Sequence, residues 1–287
     1  MASTRVYSYD ASVKSRLSDE LINTHIMRPL ASRIVRLLYH TRVTPNQVTI
    51  ASTAAGCIAA AFYSTGKPVL TAVAGLFVSL KDLLDSADGQ LARSKGLYSR
   101  LGRFLDSIGD FVVNFLVFAA VGAALARQTD SAWMWLLASA GFLGISLRIS
   151  YHVFYQTSYL HLLRSYATNR TSEEVKEEDV RGDPRALFLQ RIFLVLYGWQ
   201  DSLVAALDRW CMGTELHGED KVGRWYADRV GLHLSGLIGM GTELFVLMVF
   251  SLFNQLEAYL WWNIAVMNGV FLISVFYRRF VLRRAVQ

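Results

Sequence analysis

The chain has 287 residues, 53% of them hydrophobic and 18% charged, with a formal net charge of +6. A mean hydropathy of +0.30 is too high for an ordinary soluble domain and suits a membrane protein. Two cysteines, Cys57 and Cys211, exclude a disulfide framework or a structural zinc site. In such a chain the positive balance reports cytoplasmic cations near anionic lipid headgroups rather than nucleic acid.

Residues 1–45 read as a cytoplasmic N-terminal segment. They are polar and charged, so no secretory leader is expected. Within them Leu21, Ile22, Ile26, Leu30, Ile34, Leu37 and Leu38 recur at helical spacing, with Arg28, Arg33 and Arg36 between. This predicts an amphipathic helix over 18–40 lying on the inner leaflet. Six apolar runs long enough to cross a bilayer follow, near 46–64, 68–84, 107–126, 132–155, 230–252 and 257–277. The fold expected is all-α and integral to the membrane. It has spans one to four in 46–155, a cytoplasmic or interfacial insertion at 156–229, and spans five and six with a basic tail in 230–287.

Loop charge sets the expected orientation. The loops after spans one, three and five hold only Lys67 and Arg127. The other side holds Lys14, Arg16, Arg28, Arg33, Arg36, Arg42, Arg93, Lys95, Arg100, Arg103, Arg278, Arg279, Arg283 and Arg284. Both termini and residues 82–110 are therefore expected in the cytoplasm. Inside the insertion, an acidic run at 172–179 precedes a helical stretch at 186–210. Burying Gln200 and Asp201 in lipid would be costly, so that stretch is expected outside the membrane. The sequon Asn169-Arg170-Thr171 is expected to stay unglycosylated on this topology. Trp199, Trp261 and Trp262 read as interface anchors, and Cys57 as packing.

The chemistry lies in residues 82–110, DLLDSADGQLARSKGLYSRLGRFLDSIGD. Asp85 and Asp88 share one helical face at the end of span two. Asp106 and Asp110 share one at the start of span three. A short turn makes the two spans antiparallel neighbours, so both pairs meet at the cytoplasmic edge of the bilayer. Four converging carboxylates repel, and a pair of hard divalent cations suited to phosphoryl transfer would neutralise them. Gly89 and Gly102 permit close backbone approach to a ligand, Ala92 leaves space, and Arg93 offers a fork for a pyrophosphate. Acids at helix ends are otherwise mostly caps or solvated faces.

The full pattern is D-x-x-D-G-x-x-A-R, eight residues, then G-x-x-x-D-x-x-x-D. In it the sequence resembles the CDP-alcohol phosphatidyltransferases, integral membrane enzymes of phospholipid head-group synthesis. The match covers Asp85, Asp88, Gly89, Ala92, Arg93, Gly102, Asp106 and Asp110, and TPNQVT at 44–49 is similar to the family's usual opening. The resemblance implies that Asp85, Asp88 and Asp106 bind a magnesium or manganese pair shared by Asp110. It implies Asp110 as the general base, and Asp85, Gly89, Ala92, Arg93 and Gly102 around the cytidine nucleotide. It further implies a homodimer that moves a phosphoalcohol group from a CDP-linked donor to a hydroxyl acceptor and releases CMP. CDP-diacylglycerol with a small polar acceptor is the expected pair. The alternative is a soluble CDP-alcohol donor with diacylglycerol or a polyol phosphate as acceptor.

Arg148 and His152, near the inner end of span four, are candidates for the acceptor pocket, although an arginine there can equally snorkel to headgroups. His233 reads as a plain interfacial residue, and Glu243, deep in span five, has no role in this scheme. From another class, a divalent-metal transporter would also need intramembrane acids. Transport sites sit near the bilayer midplane on broken helices, whereas these acids gather at one edge. The expected location is a bacterial inner membrane or the endoplasmic reticulum, with the active site facing the cytoplasm.

Overall fold

Thr44 opens the helical body. Its hydroxyl accepts from the Gln47 backbone N–H while its own N–H donates to the Gln47 side chain, 2.9 Å away. This reciprocal cap, with Pro45 in the first turn, fixes the start of a 19-residue helix, Pro45–Tyr63. The computed structural model describes residue 9 and residues 18–163, 173–175, 177–180, 182–213 and 218–286; every regular element among them is helical. Lys14, Arg16 and the sequon at Asn169 lie outside the described residues.

Within the N-terminal segment a π-helical turn, Asn23–Met27, leads into α1, Arg28–Leu38. Ala31 and Val35 are buried beside Val48, Ala87 and Leu91, while Leu30 and Leu37 point outward. The long helices follow as α2 (Pro45–Tyr63), α3 (Pro68–Lys95), α4 (Arg100–Thr129) and α5 (Trp133–Leu162). Then come α6 (Pro184–Met212), α7 (Glu219–Tyr226), α8 (Arg229–Gly236) and α9 (Met240–Leu252). The last, α10 (Leu256–Val286), contains two π-helical stretches.

Four stretches are long and apolar enough to cross a membrane: Arg100–Thr129, Trp133–Leu162, Glu219–Leu252 and Leu256–Val286. With the outward-facing Leu136, Leu143, Leu272 and Phe276, they make this an integral membrane protein. The other two expected spans, α2 and α3, form as helices but are less apolar. Pro45, Asn46 and Gln47 dilute the first, and Lys81, Asp82, Asp85 and Asp88 occupy the second half of the other.

Gly96, at φ 68°, ends α3 in the left-handed conformation, and the Ser99 hydroxyl caps α4 by accepting from Gly102 N–H at 2.9 Å. The turn is short, yet α3 and α4 are not the simple paired neighbours that spacing predicts. Each packs most closely against α2, which wedges between them. The wedge fits because a side chain at Gly109 would strike Thr53.

The stretch expected as an insertion helix is helical. It forms α6, which packs on α4 and α5. Its polar residues find protein partners: Gln200 accepts from the Ser150 hydroxyl at 2.8 Å, and Asp208 accepts from Tyr155, Trp225 and Tyr226. Burial of Gln200 costs little once that bond replaces water.

Candidate active site

With α2 as spacer, the acid-bearing faces of α3 and α4 meet through side chains. Carboxylate oxygens of Asp85, Asp88 and Asp106 all lie within 4.8 Å of one another. Asp110, one turn further along α4, forms an ion pair with Lys81, whose ammonium also lies 3.7 Å from Asp85. The wedge helix contributes directly, since the Thr49 hydroxyl donates to Asp88. Asp82 is buried beside them, and one of its carboxylate oxygens has no protein partner.

Four carboxylates therefore share one ammonium. Such a cluster is held against its own repulsion and needs further positive charge close by. Three oxygens within reach of a single point are the donor set a hard divalent cation takes, and magnesium or manganese fits it better than a thiophilic metal.

The cluster opens on a cavity of about 320 Å³. Asp85, Asp88, Gly89, Arg93, Asp106 and Asp110 all line it, with Arg103, Phe193 and Tyr197. The Arg93 guanidinium lies over Gly89, 3.3 Å from where a β-carbon would stand. Arg103 is held by Glu173, its Nη2 2.5 Å from the carboxylate. Ala92 and Gly102 stay outside the lining. The space a side chain would take at Gly102 is filled by Asn46 from the start of α2, so this glycine serves helix packing there.

The two acceptor candidates part company. His152 reaches the cavity wall, buried, with Nε2 3.9 Å from Glu20 and Nδ1 3.4 Å from the Ser235 hydroxyl. Arg148 does not. Its guanidinium is 0% exposed and bound to Glu243 at 2.9 Å, with Asn263 O at 3.2 Å and the Asn268 side chain. Glu243 in turn accepts from Tyr259 at 2.8 Å and Asn263 at 2.5 Å. Arg148 is thus consumed by the one acid for which the sequence offered no role, and the pair locks α5 to α9 and α10.

Several cavity residues were not anticipated. Lys81 is a charge inside the apolar run at 68–84, and nothing in the sequence marks it as the counter-ion of Asp110. Phe193 and Tyr197 come from α6. Asp19, Glu20, Asn23 and Arg28 come from the N-terminal segment, where only the apolar periodicity drew notice. Burial, with Asp82 and Asp19 adding to it, pushes the Glu20 carboxyl up to about 8.

The region that carries the acid cluster also resembles known proteins. Residues 42–216 match the CDP-alcohol phosphatidyltransferase family. A stretch of 128 residues is 32% identical to the bifunctional IPC transferase and DIPP synthase of Thermococcus kodakarensis, covering 45% of this chain and 28% of that one. The phosphatidylinositol phosphate synthase of Mycobacteroides abscessus is 37% identical over 97 residues, 33% of this chain and 41% of that one. The archaetidylinositol phosphate synthase of Pyrococcus horikoshii is 29% identical over 118 residues, 41% and 61% respectively. The chain spans only a quarter to a third of the first of these relatives.

Proposed function

Because the chain belongs to the CDP-alcohol phosphatidyltransferase family, we propose that it transfers a phosphatidyl or phosphoalcohol group from a CDP-linked donor to a hydroxyl acceptor, releasing CMP. The observation that carries this reading is the convergence of Asp85, Asp88 and Asp106 on one point, within a cavity that Arg93 and Asp110 also line. CDP-diacylglycerol and a small polar acceptor are the proposed substrates.

Asp85, Asp88, Asp106 and Asp110 would hold a pair of magnesium or manganese ions. Such ions offset charge on the donor's phosphates and on the departing CMP. The protein's own groups do the rest. Arg93, folded over Gly89, holds the nucleotide phosphates by a bidentate fork. Lys81 orients Asp110, which takes the proton from the acceptor hydroxyl as its oxygen attacks phosphorus. Thr49 fixes the rotamer of Asp88. Phe193 and Tyr197 cover the cavity from α6 and limit water, which would otherwise compete as acceptor.

The finer membrane placement belongs to the same proposal. Six spans, with α2 and α3 completing the four apolar stretches, an interfacial α1, and a cytoplasm-facing site fit the loop charges. A homodimer fits the family. The acids cluster where α3 ends and α4 begins, at one edge of the helical body, which favours transfer between a lipid and a water-soluble partner over ion transport.

The test is CMP release by the purified protein in detergent, with magnesium, CDP-diacylglycerol and acceptors supplied singly. Release with one acceptor, abolished by chelator and by Asp110→Asn, is the expected result. Absence of both CMP release and CDP binding would refute the reading.

A further inference from the structure

Helix α6 crosses α4 and α5 rather than running beside them. Its partners fix the crossing. The Phe193 ring lies 5.4 Å from that of Phe104, and Tyr197 donates to Ser107 O at 2.7 Å. Further along, Gln200 accepts from Ser150 and Asp208 from Tyr155. The turn between α4, which ends at Thr129, and α5, which begins at Trp133, is a common reference for depth. At 1.5 Å per residue, Phe104 lies about 38 Å from that turn, Ser107 and Tyr155 about 33 Å, and Ser150 about 26 Å. The four contacts stay within a band of about 12 Å, although α6 advances about 22 Å from Phe193 to Asp208. A helix aligned with α4 and α5 would change level by its full length.

That band is at headgroup depth. Trp133 and Trp135 are exposed beside the turn, as aromatic residues are at a membrane surface. A hydrocarbon layer of about 30 Å measured from there ends within the band of α6. Asp106 and Asp110 stand on α4 within the same band, so Phe193 and Tyr197 reach the cavity that these acids line.

The face of α6 turned away from the body is amphipathic. Phe188, Val195, Trp199, Leu203 and Trp210 are exposed along it, Val195 to 76%. At 3.6 residues per turn they fall within about 80° of one another, a single stripe. The exposed charged residues within α6 are Arg185, Arg191 and Arg209, with no acid among them. Asp183, just before the helix, is its N-cap, and Arg209 also borders a second cavity with Asp201 and Asp208. An apolar stripe edged by arginines suits acyl chains beneath anionic headgroups. Val112 on α4, next to the Phe111 ring that meets Tyr197, is exposed as well, so the stripe adjoins the outward surface of a span.

We propose that α6 lies flat in the headgroup layer of the leaflet that holds the acids, its stripe among acyl chains and Arg185 and Arg191 on anionic headgroups, and that anionic lipid thereby steadies the cavity wall made by Phe193 and Tyr197. The helix has lipid on one side and the catalytic cavity on the other. Weaker lipid contact on the outer side loosens the wall on the inner side and admits water. The placement of α6 stands on its contacts and exposure, while the effect on turnover rests on the phosphotransferase reading.

The experiment places the full chain in phosphatidylcholine nanodiscs, with and without phosphatidylglycerol. Nitroxide labels on Phe188→Cys, Val195→Cys and Leu203→Cys report their surroundings, with Leu143→Cys on the outward face of α5 as the deep reference. The unsubstituted chain, whose Cys57 is partly and Cys211 fully buried, is the blank. All three labels are expected to meet oxygen more than a water-soluble nickel chelate, and to share one depth, about 5–10 Å below the phosphates and shallower than Leu143. CMP release is expected to rise about fivefold or more with phosphatidylglycerol, and Arg185→Gln/Arg191→Gln to lose most of that rise with an unchanged thermal transition. Labels that meet mainly the chelate, dipolar broadening from a second copy, or depths that differ by about 20 Å as in a spanning helix each overturn the inference. So does a double variant that keeps the full response to phosphatidylglycerol. Labels seated in lipid, in a chain that neither releases CMP nor binds CDP, sink the phosphotransferase reading and leave the placement of α6 intact.

Discussion

Two ionic clusters lie within the helical body, and they are built to opposite rules. Around Arg148, one cation meets one acid, and Tyr259, Asn263 and Asn268 bond to the pair, with Arg148 Nε and Asn263 Oδ1 left without a protein partner. Around Lys81, one ammonium pairs with Asp110 and Asp85 of four clustered carboxylates, and a neighbouring acid, Asp82, keeps an unpartnered oxygen. The first cluster is balanced in charge, and neither Arg148 nor Glu243 lines the cavity at the acids. The second is open, in charge and in space. Both would attract attention in a sequence as ionisable groups among apolar residues. The difference teaches that a balanced buried charge reports architecture, while an unbalanced one reports a missing ligand.

The sharpest way to break that comparison is to remove an acid from each side. Asp106→Asn or Asp110→Asn is expected to lower CMP release by about 10²–10⁴-fold while leaving the protein folded, because a group acting in the transition state is lost. Initial-rate assays, with the thermal transition followed in parallel, check both halves of the statement. In the balanced cluster the pattern should invert. Arg148→Met strands Glu243 and is expected to cost about 3–5 kcal/mol of stability. Rate per folded molecule should be nearly unchanged, and the double variant Arg148→Met/Glu243→Met should recover most of the loss. Differential scanning fluorimetry on all three variants measures this. Should Arg148→Met abolish catalysis in a stable protein, the division between the clusters would fall.

Thr49→Val sharpens the same contrast from outside the acids. Losing the hydroxyl that orients Asp88 is expected to weaken metal affinity by about 10–100-fold, as with other outer partners of metal ligands, read from the magnesium dependence of the rate. The smallest effect concerns Glu20. In the folded protein its carboxyl titrates near 8 rather than the ordinary 4.5. Between those values the folded state holds a proton that the unfolded state has released, so this residue makes stability fall as pH rises from 4.5 toward 8. Glu20→Gln should flatten that part of the profile in a pH series of thermal transitions.

How far the sequence could be read follows the same division. The open cluster was legible because its chemistry needs acids at fixed helical spacing, and a pattern such as D-x-x-D-G-x-x-A-R leaves little freedom. The pairing of Arg148 with Glu243 was not, although both residues stood out, because nothing local ties positions 95 residues apart. The wedge of α2 between α3 and α4 was hidden for a related reason. A short turn argues for direct pairing, and close approaches such as those of Gly109 to Thr53 and Gly56 to Val113 decide otherwise. The N-terminal helix was visible by its apolar stripe, whereas Asp19, Glu20 and Asn23 line the cavity from positions with no periodic signature. Helix α6 packs on α4 and α5, and its polar Gln200 and Asp208 are met by Ser150, Tyr155, Trp225 and Tyr226, which nothing in the sequence places beside them.

The span of 95 residues between Arg148 and Glu243 also has a history in time. A ribosome adds about 5–20 residues per second, so the helix bearing Arg148, which ends at Leu162, is complete roughly 4–16 s before its partner exists. Throughout that interval the insertion machinery must shelter an uncompensated guanidinium or delay its entry into lipid. A chain interrupted before Glu243 would lack the one carboxylate that neutralises Arg148 in the finished protein.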